Sequence, residues 1–295
     1  MSGYLEGLIA VLALNVIIAY SVYLPAAAGL LNLGSAGFVL VGAYTAGALT
    51  SSHGLSLLVA VPAGGLLAAL IAFAVAFPIL RTRGVYMVLA TFAFAEVVGG
   101  VLLNWPGLGG AAGLSVIAWP GLPTVVGVAL AVIAGAAWLM STRFGLSVRA
   151  IHDDESVARL FGVNLRSTQV AAFTLGGFVG GIGGALLVHQ FNFIDVQGTG
   201  VLFSIYVLLY VLMGGTQTVW GPVSGALFFT LVPELLRYLA SLDSALKPLE
   251  SGRFIVFGLA VVVLMVWRPQ GLVTRTMLER LSRRQASSGQ GAGNA

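Results

Sequence analysis

"GLIAVLALNVIIAYSVYLPAAAGLLNLGSAGFVLVGAYTAGALT", residues 7–50, contains no Asp, Glu, Lys or Arg, and the uncharged run continues to Leu80. Those 74 residues hold three helices of about 20 residues with turns between them. Backbone surrounded by lipid must hydrogen-bond within itself, so only helices or a closed barrel can cross. Continuous rather than alternating apolar runs select helices. The rest of the chain agrees: 58% of residues are hydrophobic and 8% charged, against about 25% charged in ordinary soluble domains. The expectation is an all-α integral membrane protein, a polytopic helical bundle of about nine transmembrane segments. Its 40 glycines suit helices that associate through small residues.

Breaks in the apolar pattern define segment cores at 5–24, 28–50, 55–80, 85–104, 122–141, 169–190, 201–214, 219–240 and 253–267. The seventh and ninth are short for a span, which implies little tilt, borrowed flanking residues or a partly re-entrant course. Arg81 is the first Lys or Arg. The opening segment therefore lacks the positive region of a signal peptide, and residues 5–24 are read as a retained span although "LPAAAG" imitates a cleavage site. Arginines gather at 81 and 83, at 143–166 and at 268–284, separated by even numbers of segments. All three clusters thus fall on one side, with eleven of the fourteen Lys and Arg residues, and the positive-inside rule makes that side cytoplasmic. The N-terminus is expected outside and the C-terminus inside. Residues 1–267 form the transmembrane domain, with a cytoplasmic loop at 142–168, and 268–295 form a basic, partly disordered cytoplasmic tail whose arginines meet anionic headgroups.

One cytoplasmic stretch stands apart. "RAIHDDESVARLFG", residues 149–162, holds five of the 24 charged residues. Asp153 or Asp154 is placed to cap a short helix, Glu155 favours its positive end, and Gly162 suits the left-handed residue that closes one. Val157, Leu160 and Phe161 recur at i, i+3 and i+4, with Ala158 between them, giving a small apolar stripe on a polar segment. The stripe either packs on the chain's own helix ends or docks a soluble partner. A two-turn helix is marginal alone, and a long loop with structure of its own is usually functional.

The sequence around this stripe, "RFGLSVRAIHDDESVARLFGVN", resembles the cytoplasmic loop of the LivM-type permease subunits of branched-chain amino acid ABC importers. The similarity covers about residues 28–272, through "GLLNLGSAGFVLVGAYTAGAL", "RTRGVYMVLATFAFAEVV", "GGAAGL" and "MGGTQTVWGPVSGALF" in the same order. Ser156 and Val157 depart from the importers' usual Glu and Ala, and Leu108 and Gln217 stand where Thr and Gly are usual. The resemblance implies a permease subunit in a bacterial cytoplasmic membrane that forms part of a translocation path. Its implied partners are a second related permease, two ATP-binding cassette subunits and an external substrate-binding protein. ATP would be used by those partners, with no cofactor or nucleic acid in this chain. The implied coupling helix comprises Asp153, Asp154, Glu155, Val157, Ala158, Leu160, Phe161 and Gly162. Branched-chain amino acids, other small amino acids, amides or urea are the implied substrates.

Other features bound the alternatives. Lys247 is the only lysine, so the glycine-rich "LGGFVGGIGGALL" at 175–187 cannot be part of a phosphate loop of the G-x-x-x-x-G-K-[ST] type. Gly177 and Gly181, like Gly180 and Gly184, share a helix face and favour close helix packing. His53, His152 and His189 lack ligand spacing, and the absence of cysteine removes thiolate chemistry. Nothing here forms an enzymatic constellation. Glu234 and Arg237 are spaced to pair across one helical turn. Glu96 lies inside a span, where an acid is costly enough to mark a translocation path or its support. The same residue would serve an ion or proton site in a self-sufficient secondary transporter, the competing reading, with a passive channel third.

Overall fold

The structure is a computed structural model that describes residues 2–242 together with 258–259, 261–263, 265–268 and 271–273. Residues 253–257, 260 and 264 of the ninth expected segment, the tail beyond Val273 and its arginines lie outside the described residues. The described chain is helical apart from one pair of two-residue strands, and it forms two compact units divided between Leu209 and Tyr210.

The first unit is built around one helix. Its helices are α1 (Ser2–Ala27), α2 (Ser35–His53), α3 (Leu57–Ile79), α4 (Val85–Leu103), α5 (Leu122–Ser141), α6 (Arg143–Asp153), α7 (Glu155–Leu160), α8 (Leu165–Phe191) and the start of α9 (Val201–Gly214). Helix α8 packs against α1, α2 and α3, while α5 lies on α1 and α4 on α2. Among the described residues five helices are long and apolar enough to cross a membrane: α1, α3, α4, α5 and α8. Two-thirds of the best span window is buried in α1 and α8, but only a third or less in α3, α4 and α5. The latter leave Leu58, Leu66, Leu70, Val97 and Trp138 outward, as lipid-facing helices do.

Glycine makes this packing feasible. Gly176, Gly177, Gly180, Gly181, Gly183 and Gly184 are all buried, around more than one face of α8. A Cβ at Gly184 would overlap the carbonyl of Val39, and one at Gly42 would overlap the carbonyl of Gly181. Backbone-to-backbone approach of this kind replaces the hydrophobic drive that is missing inside lipid. The packing reading of the glycine run holds.

The second expected segment differs in its boundary. Helix α2 begins only at Ser35, because the chain turns at Gly29 (φ 77°) and is non-helical from Leu30 to Gly34. Asn32 Oδ1 accepts the Gly34 N–H at 2.7 Å, and Thr91 Oγ1 of α4 accepts the Leu33 N–H at 3.0 Å. Buried polar backbone requires such substitutes. Ser35 Oγ and the Ala36 N–H both donate to Ser204 Oγ of α9, at 3.1 and 2.8 Å. At the far end of α2, strands β1 (Leu114–Ser115) and β2 (Phe193–Ile194) pair antiparallel, with Leu114 opposite Ile194. They close a core of Tyr44, Leu102, Val116, Val188 and Ile194.

In the second unit the end of α9 meets α10 (Gly221–Leu242) through glycine: a Cβ at Gly225 would strike the Tyr210 backbone. Residues 271–273 lie on this turn, where the Leu272 N–H donates to Met213 O at 2.7 Å and the Val273 N–H to Gly214 O at 3.1 Å. The "MGGTQTVWGP" stretch is therefore a packed helix–helix turn. Arg237 Nε donates to Glu234 Oε1 at 3.0 Å, the pair expected from their spacing.

Candidate functional site

The loop expected at 142–168 is more structured than the sequence suggested. Helix α6 precedes the short helix and buries Gly145, Val148 and Ile151 on one side. Arg149 Nη2 donates to Met140 O at 3.0 Å and holds α6 against the end of α5. The capping alternative resolves to Asp154, whose Oδ1 accepts the N–H groups of Ser156 and Val157 at 2.7 and 3.1 Å. Asp153 is instead the last residue of α6. Gly162 has φ 79°, and the Val163 N–H closes the helix on Ala158 O at 3.1 Å.

Helix α7 rests on the bundle by one small residue and one polar bond. Ala158 is 2% exposed, and Gln169 Nε2 of α8 donates to Glu155 Oε1 at 3.2 Å. The larger apolar residues point elsewhere: Val157 is 46% exposed, Leu160 87% and Phe161 84%. Of the two readings of the stripe, packing on the chain's own helix ends accounts for Ala158 alone. Two large side chains this exposed on one turn form a surface suited to a partner.

Glu96 is exposed on α4, on the flank of the buried row Met87, Thr91, Ala95, Gly99 and Leu102. It lines a cavity of about 460 Å³ with Ala36 and Leu40 of α2, Gly99 and Gly100 of α4, Gln197 and Gly200, and Val201 and Leu202 of α9. The first turns of α2 and α9 thus share one cavity with a carboxylate. Helix starts carry partial positive charge, so the walls offer both signs of charge within one small volume, with the Ala36 N–H of α2 already bonded to Ser204 Oγ.

Sequence reasoning missed the polar residues that brace this region. Asn32, Ser35, Thr91 and Ser204 are each at most 1% exposed and come from three separate stretches of chain. His189, which the sequence singled out only for lacking ligand spacing, is fully buried: the ring N–H at Nδ1 donates to Ala185 O at 2.6 Å, and Nε2 lies 3.0 Å from Thr50 Oγ1. Isolated Asn, Ser, Thr and His inside apolar runs were the available signal, since polar groups in spans need partners.

Residues 4–264 match the family described as branched-chain amino acid transport system / permease component. The chain belongs to that family. The permease is 27% identical to the high-affinity branched-chain amino acid transport system permease protein LivM of Escherichia coli K12, over 95% of this chain and 71% of that protein. Against LivM of Salmonella typhimurium LT2 it is 27% identical over 90% of this chain and 67% of that one. A shorter likeness, 33% identity over 36% of this chain and 33% of the relative, links it to the autoinducer 2 import system permease protein LsrC of Klebsiella pneumoniae. No solved structure matches the permease significantly.

Proposed function

We propose that this permease forms one half of the translocation path of an ATP-driven importer and receives the work of ATP hydrolysis through α7. The exposed pair Leu160 and Phe161 carries the proposal. An ATP-binding cassette subunit would cover them, and α7 would pass movement to α8 through Ala158 and the Gln169–Glu155 bond. Because α8 touches α1, α2 and α3, a displacement of its end reaches most of the first unit.

Membership of the family supports the other parts of the assembly. A second related permease completes the path, two ATP-binding cassette subunits hydrolyse ATP, and an external binding protein selects the substrate. The permease sits in the bacterial cytoplasmic membrane with nine spans, N-terminus outside and C-terminus inside. Residues 1–267 are the membrane domain, 142–168 the coupling loop and 268–295 the tail. The names of the relatives support a branched-chain or related small amino acid as substrate, with amides and urea in the same size class. The Glu96 cavity supports a zwitterion, since a carboxylate faces an ammonium and two helix starts face a carboxylate.

The test replaces Phe161 by Asp and compares the variant with Ser288→Ala in the tail. Phe161→Asp is expected to reach the membrane normally, to lose co-purifying ATPase subunits and to lose transport. Assembly and transport equal to the control would refute the docking role of α7. Proteoliposomes containing this chain alone are expected to be inert under an ion gradient; uptake there would favour the secondary transporter. Orientation is tested with single cysteines. An impermeant thiol reagent on intact cells should label Ser2→Cys and spare Ser156→Cys.

A further inference from the structure

A second cavity, of about 310 Å³, opens at the end of the bundle where α3 joins α4 and α7 meets α8. Arg81, Arg83, Arg159 and Arg166 line it, with Glu155 as the single carboxylate. That carboxylate already accepts from Gln169. Among the described residues none of the four arginines forms an ion pair. Four arginines lining one small volume concentrate positive charge there and favour an anion, and guanidinium matches a phosphate in charge and in bidentate geometry.

The neighbouring groove says which anion. It shares Arg166 with the cavity and runs between α3 and α8, with a volume of about 650 Å³. Its polar residues at the cavity end are Asn164, Arg166 and Ser167; beyond them Phe73, Phe77, Val170, Ala171 and Leu175 make an almost wholly apolar wall. From Arg166 to Leu175 the helix rises about 13 Å at 1.5 Å per residue. The Arg166 guanidinium lies 5.8 Å from the centre of the Phe77 ring, where the charged and apolar parts meet. Arg81 directly follows the apolar stretch through Leu80, and Arg166 is the second residue of α8, so the arginines stand at the membrane boundary whichever way the chain is inserted.

We infer that cavity and groove together hold one anionic phospholipid, its phosphate diester among the four arginines and an acyl chain along the α3–α8 groove. A free phosphate would fill only the charged part. An acidic side chain of a soluble partner would also stop there, because the groove continues into the lipid-facing depth of the span. Basic pockets between spans at a membrane surface bind such headgroups. The inference does not depend on α7 docking an ATPase, and its test uses this chain alone.

Native mass spectrometry of the full-length chain in detergent, titrated with phosphatidylglycerol, phosphatidylcholine and inorganic phosphate, reads the site directly. Phosphatidylglycerol is expected to be retained about tenfold better than phosphatidylcholine. Arg81→Gln with Arg166→Gln removes that preference, whereas Arg143→Gln, which removes one positive charge outside the cavity, keeps it. Arg81→Lys with Arg166→Lys retains the charge and part of the preference, which guards against misfolding of the Gln pair. Ala171→Trp fills the groove, so it weakens phosphatidylglycerol binding. Equal retention of the two lipids, or an equal loss in Arg143→Gln, overturns the assignment. Displacement of phosphatidylglycerol by inorganic phosphate, with Ala171→Trp silent, reduces the site to a free-phosphate pocket and also overturns it. So does a Gln pair that keeps its lipid preference.

Discussion

Along α8 every glycine from Gly176 to Gly184 is covered by the chain's own helices, whereas on α7, a few residues upstream, Leu160 and Phe161 are left almost fully exposed. The two helices are joined by a short turn and differ in what completes them. Helix α8 is completed within the chain, so its residues report on folding. Helix α7 leaves Leu160 and Phe161 uncovered by the described residues, so under the proposed docking its residues report on association. The contrast predicts that substitutions in the two helices separate cleanly by phenotype.

The largest effect is expected at Gly184. A valine there would place its Cβ into the Val39 carbonyl of α2, and backbone cannot yield as a side chain tip does. Overpacking of this kind costs about 3 kcal/mol or more, enough to lower cellular abundance several-fold. Membrane abundance and monodispersity of Gly184→Val should fall sharply. Gly127→Val on α5, where a Cβ meets nothing within 4 Å, should leave both unchanged. If the two variants accumulate alike, α8 is not the shaft around which the unit is built.

Phe161→Ala is expected to do the reverse. Burying such a ring against a partner is worth about 1.5 to 3 kcal/mol, so ATPase association should weaken about tenfold to a hundredfold while membrane abundance stays normal. Titration of ATPase subunits onto the purified permease measures this. A variant that lost abundance without losing affinity would move Phe161 into the folding class and erase the contrast.

Both helices were legible in the sequence, for different reasons. The continuous apolar run fixed the span at 169–190, and the i, i+4 glycines fixed its packing. Asp154, Glu155 and Gly162 marked the start and stop of α7. The non-helical stretch Leu30–Gly34 was not legible, because "GLLNLG" is as apolar as the helices on either side. What stops the helix there is bonding to Thr91, 58 residues away, and to Ser204, beyond the span of any local pattern. Helix α6 was hidden because Arg143 and Arg149 made its segment look like loop, although Gly145, Val148 and Ile151 already formed an apolar row. Glu96 was visible as an anomaly, but its cavity was not, since three separated stretches of chain make its walls.

Glu96 lies on a surface of a third kind, exposed like that of α7 but at the depth of a span. Glu96→Gln preserves size and hydrogen bonding and removes the charge. If the cavity receives an ammonium, the loss is one charge-assisted contact, about 1.5 kcal/mol or roughly tenfold in transport. Abundance and ATPase association should both be unaffected. Uptake by the reconstituted importer decides it, and unchanged uptake across pH would show that the charge serves neither path nor ion site.

The smallest effect belongs to the cap of α7, and it separates two residues that the sequence could not. Asp154 satisfies two N–H groups of α7, whereas Asp153 ends α6. Replacing an N-cap carboxylate by alanine costs about 1 kcal/mol, and a helix this short has few other local bonds to hold it. Asp154→Ala should therefore leave α7 formed for less of the time and weaken ATPase association about fivefold. Asp154→Asn keeps an accepting oxygen in the same place and should bind almost as the unchanged permease does. Asp153→Ala removes the same charge one residue earlier and should have little effect on the cap. Three affinities against the same ATPase subunits settle the matter. A loss in Asp154→Asn equal to that in Asp154→Ala would make the charge rather than the cap the operative feature. An equal loss in Asp153→Ala would mean that the docking surface extends into α6.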